Sequence, residues 1–151
     1  MKNIIKAVLL AFLIFSASAS AADKKSFPPN AVAGTWLTQN RGAKIEIYKA
    51  GKNVYMGRMV WLREPFDEKG RPLTDAKNPD PALRGRPYLG MVIIKTLSPA
   101  GENRWEGRIY DPESGKTYNC TVSLENEDTL RLRGYLGIPL LGRTETWRRV
   151  S

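Results

Sequence analysis

From residue 34 onward, apolar and polar residues alternate with a period of two in nearly every regular segment, and no segment sustains a helical period. Ala43, Ile45 and Ile47 alternate with Lys44, Glu46 and Tyr48. Trp105, Gly107 and Ile109 share one face; Tyr118, Cys120, Val122 and Leu124 share another. Leu130, Leu132 and Gly134 alternate with Arg131, Arg133 and Tyr135. GTWLT (34–38) reads as a short first strand and RTETWRR (143–149) as the last. NVYMGRMVWL (53–62) is apolar on both faces, with Gly57 marking a bulge or a close backbone approach, and LGMVIIKTL (89–97) is a buried-type run. Turn-forming residues separate these segments at 50–53, 99–103, 111–116 and 125–128.

The pattern predicts an all-β fold of eight strands with short connections, and one long connection from Arg63 to Tyr88. Strands joined this way pair as antiparallel neighbours. Eight of them close into an up-and-down barrel that leaves no free edge, although a two-sheet sandwich satisfies the same pattern. The long connection holds NPDPALRGRP (78–87). Asp80 is a helix N-cap, Pro81 suits the first helical position, and Ala82, Leu83 and Arg84 supply one turn. Gly85 suits a left-handed end to it, and Pro79 and Pro87 keep Asn78 and Arg86 extended. The expected object is a single turn over one end of the barrel with Leu83 pointing inward. Arg84 and Arg86 either latch it to a carboxylate or carbonyl, or grip the anionic group of a ligand.

The first residues change the picture. Lys2 and Lys6 precede an apolar run from Ala7 to Phe15 and an Ala19-Ser20-Ala21 sequence, the layout of a signal peptide cut after Ala21 or Ala22. The expected organisation is a signal peptide at 1–22, an extension at 23–33 and a barrel domain at 34–150, soluble in the periplasm. Cleavage removes two lysines and no acid, taking the formal charge from +9 to +7. Export, with arginines scattered rather than gathered in a run, argues against nucleic acid. The charge suits anionic envelope material or an acidic small molecule. The absence of histidine excludes Ser-His-Asp, Cys-His and HExxH chemistry, and no metal or cofactor is expected. Cys120 is the single cysteine, so no internal disulfide forms, and its place on an apolar strand face predicts a buried thiol.

Several stretches resemble a bacterial family of exported proteins known only as a domain of unknown function, whose members look like lipocalins. They are GTW (34–36), KIEIYKAG (44–51), GRMVWL (57–62), NPDPALRGRP (78–87), WEGRIYDPESGKTY (105–118) and RGYLGIPLLGRTETW (133–147). The resemblance implies an eight-stranded lipocalin-like barrel in the periplasm and brings no established activity. Many members carry two cysteines near the second hairpin; Ala50 and Met56 stand at those places here, so this chain departs from the family pattern and lacks that disulfide. Gly34-x-Trp36 resembles the lipocalin opening signature, which implies that Trp36 closes the barrel beneath an arginine near the C-terminus, Arg148 or Arg149. Gly34, Trp36, Asn78, Asp80, Trp147 and Arg148 are thus expected to be structural.

An eight-stranded barrel leaves room for one small ligand. Met56, Val60, Met91, Ile93, Trp105, Ile109, Tyr118, Val122, Leu130 and Leu132 are the candidate lining. Arg58 shares a face with Met56 and Val60, and Lys95 one with Met91 and Ile93. Either would need a partner if turned inward. The alternative turns Tyr55, Met59 and Trp61 inward and Arg58 to solvent. Arg58, Arg84, Arg86, Trp105, Tyr118 and Tyr135 are the candidate ligand-binding residues. Leu136, Ile138, Leu140 and Leu141, in RGYLGIPLLGR, either bury beneath the NPDP turn or form a docking patch for membrane or protein. The expected function is a non-enzymatic periplasmic binding protein for a small apolar or acidic-amphipathic ligand. An envelope interaction or structural protein with a filled barrel is the alternative. A hydrolase using carboxylates among Asp75, Asp80, Asp111 and Glu113 is a third reading.

Overall fold

The structure, a computed structural model, describes residues 25–151, so the expected signal peptide lies outside the described residues. Its strands are β1 (Gly34–Leu37), β2 (Ala43–Gly51), β3 (Val54–Leu62), β4 (Val92–Gly101), β5 (Arg104–Asp111), β6 (Lys116–Asn126), β7 (Thr129–Tyr135) and β8 (Arg143–Arg149). Each pairs antiparallel with the next. β1 returns to β8 through Trp36↔Arg149 and Leu37↔Arg148, closing the barrel. The sandwich is therefore excluded, and the eight expected strands are the eight observed. Helix among the described residues is confined to 3-10 turns at Pro29–Val32, Pro81–Leu83 and Pro139–Leu141. Each begins at a proline, whose fixed φ suits a first helical position and whose missing N–H would be unpaired there anyway.

One end is sealed. The Pro29–Val32 turn crosses beneath the barrel and accepts from two tryptophans: Trp105 Nε1 donates to the Pro29 carbonyl and Trp36 Nε1 to the Val32 carbonyl, both at 3.0 Å. Asn103, buried in the β4–β5 turn, donates to the Lys25 carbonyl and accepts from the Phe27 N–H. The Arg149 guanidinium lies 4.1 Å from the Trp36 ring and donates to the carbonyls of Ala31, Ala33 and Glu127. The arginine stacked over the signature tryptophan is thus Arg149, not Arg148. Along β8 the inward parity runs through Trp147 to Arg149, so Arg148 points outward and donates to Thr129 Oγ1.

Two bulged strands decide which side chains enter. In β3, Tyr55, Gly57 and Met59 face inward, while Arg58 lies outside, 2.6 Å from Glu46 and 5.2 Å from the Tyr48 ring. Arg58 does not face the interior. Met56 is also outside, against the Tyr48 hydroxyl. Ile45 pairs with Met59 but Lys44 with Trp61, so Val60 is an inserted residue. That bulge turns Trp61 back to the surface, where it is 39% exposed beneath Lys44. A second insertion, between Arg58↔Val92 and Gly57↔Ile94, lets consecutive Ile93 and Ile94 both be buried. Gly57 is the close approach its sequence suggests: a Cβ there would lie 3.0 Å from Ile94 Cβ. Lys95 is exposed.

Candidate ligand chamber and its rim

The open end is framed by the β1–β2, β5–β6 and β7–β8 turns and the long Arg63–Tyr88 connection. Inside it lies a chamber of about 350 Å³ walled by Ile45, Met59, Ile93, Ile109, Leu132 and Trp147, the inward positions of six strands. Tyr118, Asp111, Arg143 and Glu145 supply its polar groups. An outer hollow of about 330 Å³ shares Thr38, Ala43, Met59, Asp111, Pro112 and Glu145 with the chamber and opens past Arg63, Glu64, Tyr88 and Glu113. Each hollow is at the lower end of the range for small-molecule sites, roughly 300–1,000 Å³. Mostly apolar walls with a few placed polar groups suit a small, largely apolar guest.

The carboxylates here are held by neutral donors. Asp111 accepts from the Glu113 N–H at 2.9 Å and from Ser114 Oγ at 2.6 Å, an Asx-type turn that shapes the β5–β6 hairpin. Glu145, on the inward parity of β8 and opposite Leu132, accepts from Trp147 Nε1 at 3.0 Å.

The long connection is a wall of this mouth, latched from within. Asp75 is fully buried and accepts from Tyr110 Oη at 2.6 Å, Asn78 Nδ2 at 2.7 Å and Arg86 Nη2 at 2.8 Å. Burial alone would raise its carboxyl pKa. The hydrogen bonds from Tyr110, Asn78 and Arg86 outweigh that and hold it below the usual carboxylate value. The same pair acts oppositely on Tyr110: burial first, then the hydrogen bond to Asp75, pushes its phenol up to about 12. Arg84 Nε donates to the Asn78 carbonyl at 2.8 Å. Asn78 Oδ1 accepts from the Asp80 N–H, and Asp80 caps the turn by accepting from the Ala82 N–H at 2.9 Å. The cap and the prolyl turn are as the sequence suggests. Two details differ. Gly85 is not left-handed, and Leu83 is 40% exposed instead of pointing inward, because Tyr110 and not Leu83 ties the loop to the barrel.

Of the six candidate ligand-binding residues, the structure brings only Tyr118 into the chamber. Arg84 and Arg86 are engaged by the loop's own acceptors, the latching alternative, and Arg58 is outside. Trp105 belongs to the sealed end. Tyr135 is on the outward parity of β7, against Gly142. Met91, Ile93, Trp105, Val122, Leu130 and Leu132 are buried as expected, whereas Val60 is exposed. Met59 is inward with Tyr55, as the second reading of that strand has it, while Arg143 and Glu145 were absent from the candidate lining. For these two a signal existed, since RTETWRR places Arg143 and Glu145 on the face of Trp147.

Cys120 is buried between strands, and burial pushes its thiol up to about 12, which makes it unreactive. The RGYLGIPLLGR loop does not bury its leucines under the NPDP turn. Leu140 and Leu141 are 82% and 78% exposed, on a turn held by Arg133 donating to the Pro139 and Leu140 carbonyls.

Comparison with known proteins gives a family and a fold. The family described as uncharacterized protein conserved in bacteria, DUF2147, matches over residues 34–149. A solved structure described as protein HP1028 from the human pathogen Helicobacter pylori, belonging to the lipocalin family, is similar at 26% identity and a TM-score of 0.65. The likeness covers 79% of this chain and 82% of that one. No curated protein matches the sequence.

Proposed function

Because the chain belongs to the DUF2147 family of proteins conserved in bacteria, a membership that supplies no activity, we propose a function from its chamber: non-enzymatic binding of a small, largely apolar molecule in the periplasm. The observation that carries this reading is an apolar chamber of about 350 Å³, sealed at one end by Trp36, Trp105 and the Pro29–Val32 turn and open at the other. A filled barrel would leave no such space. The lipocalin-family neighbour supports it by fold, and the Lys2–Ala21 layout supports export. Native mass spectrometry of the full-length product purified from a bacterial periplasm tests both parts. The expected result is a chain shortened by 21 or 22 residues carrying a non-covalent organic adduct that solvent extraction removes. Leu132→Trp, which fills the chamber, should abolish the adduct. Protein that is empty in every preparation refutes the binding reading, and an uncut chain refutes export.

A second reading is favoured by the exposed Leu136, Ile138, Leu140 and Leu141 at the same end. The mouth docks on the lipid surface from which an apolar ligand would be drawn. Co-sedimentation with vesicles should fall for Leu140→Asp with Leu141→Asp. Equal sedimentation of variant and wild type removes this reading.

A further inference from the structure

The protein as a whole carries a formal charge of +9, yet its chamber and outer hollow are lined by four carboxylates, Glu64, Asp111, Glu113 and Glu145, against two arginines, Arg63 and Arg143. Glu64 lies beside Arg63, at 3.8 Å, and the two offset each other. The remaining three are different. Among the described residues no ion pair uses Asp111, Glu113 or Glu145; Glu68, Asp80 and Glu102 share that lack, but they are exposed and line neither hollow, and the other described acids all have a basic partner. The hydrogen bonds that Asp111 and Glu145 accept come from an amide, a hydroxyl and an indole, which orient a carboxylate without neutralising it. Tyr88, on the wall of the outer hollow, registers this field. Its phenol pKa is raised by burial first, then by the charges of Glu113, Asp75 and Asp111.

From the apolar chamber and its uncompensated acidic rim we infer that the ligand is an amphiphile with a cationic head, an amine or quaternary ammonium. Its hydrocarbon body lies among Ile45, Met59, Ile93 and Leu132, and its head meets Glu145 and Asp111 at the junction of the two hollows. The inference rests on the binding-barrel reading and names the class of guest. Asp111 and Glu145 are half-buried beside an apolar wall with no ion-pair partner, and a cation entering there supplies one. An anionic head would meet only Arg143 in the chamber, with Asp111 and Glu145 opposing it. The arginines that could have gripped an anion, Arg84 and Arg86, are held by Asn78 and Asp75. A bare metal ion fits less well, because the described residues contain no cluster of three acidic, histidine or cysteine side chains able to hold one.

The test is calorimetric titration of the purified protein, after solvent extraction, with three probes of equal chain length: n-decylamine, n-decanol and decanoate. The amine should bind on the order of ten-fold more tightly than the alcohol at low salt, with decanoate weakest, and added salt should shrink the preference. Glu145→Gln and Asp111→Asn should each lower the amine-to-alcohol ratio roughly two- to five-fold, and Arg143→Gln should raise it. Glu125→Gln, on the outer surface, is the control for general charge. Equal binding of amine and alcohol overturns the inference but leaves the binding barrel standing. So does tightest binding of decanoate, which assigns the head to Arg143. Failure of all three probes overturns the inference together with the reading beneath it.

Discussion

Replacing Asp75 by alanine removes the acceptor on which three donors converge. Tyr110 Oη, Asn78 Nδ2 and Arg86 Nη2 reach its oxygens within 2.6–2.8 Å, and the carboxylate has no access to solvent. Breaking a buried charge pair by deleting one partner costs about 3–5 kcal/mol, much of it from the groups left unpaired. Arg86 keeps about a third of its side chain exposed and can turn to water, so the lower end applies, about 3 kcal/mol. Asp75→Asn keeps the shape and one acceptor oxygen and should cost about half of that. Urea unfolding followed by tryptophan fluorescence gives the free-energy changes. A double-mutant cycle with Tyr110→Phe should show about 1–2 kcal/mol of coupling. Trypsin cleavage at Lys77 and Arg84 should accelerate in parallel, because the network is what pins the loop to β5. The depressed carboxyl pKa adds a signed dependence on acidity. A group whose folded pKa lies below its unfolded value, about 4, stabilises the fold above that value and ceases to do so as pH falls through the folded pKa. The gap between wild type and Asp75→Asn should therefore narrow below about pH 4. An Asp75→Ala protein within about 1 kcal/mol of wild type and equally resistant to trypsin would refute the reasoning.

Three further outcomes follow from the same structure. The phenol of Tyr110, raised to about 12, stabilises the fold fully below its unfolded pKa near 10 and loses that contribution between about 10 and 12. The stability gap between wild type and Tyr110→Phe should close over that interval in alkaline unfolding curves. Arg149→Leu, losing three carbonyl acceptors and the Trp36 stack, should lower stability by about 2–4 kcal/mol, while Arg148→Leu should cost under about 1 kcal/mol; similar losses would contradict the assignment of the sealing arginine. Gly107→Ala should cost about 1–3 kcal/mol in thermal unfolding, because a Cβ there would come within 2.9 Å of the Leu97 Cα and the Lys95 carbonyl oxygen; a neutral substitution would show that β4 yields.

What the sequence by itself determined is local. Two-residue alternation and turn chemistry depend on neighbours in the chain, so eight strands, the Asp80–Pro81 turn and the burial of Cys120 could be read directly. β8 was legible to the residue, and its parity already put Glu145 beside Trp147. What tertiary structure decided is non-local. In the reading that turned Tyr55 and Met59 inward, alternation carried Trp61 with them, yet one inserted residue opposite Lys44 reversed it, and a bulge is a property of two paired strands that no single segment announces. Arg86 had the chemistry to hold a ligand, but Asp75, 11 residues away and itself bound by Tyr110 at a separation of 35 residues, engaged it first. The three carboxylates at the mouth acquire meaning as a group only when the barrel closes. Ring closure brings β5 and β8 to the same opening, and a sequence periodicity carries no information about which turns meet across a circle.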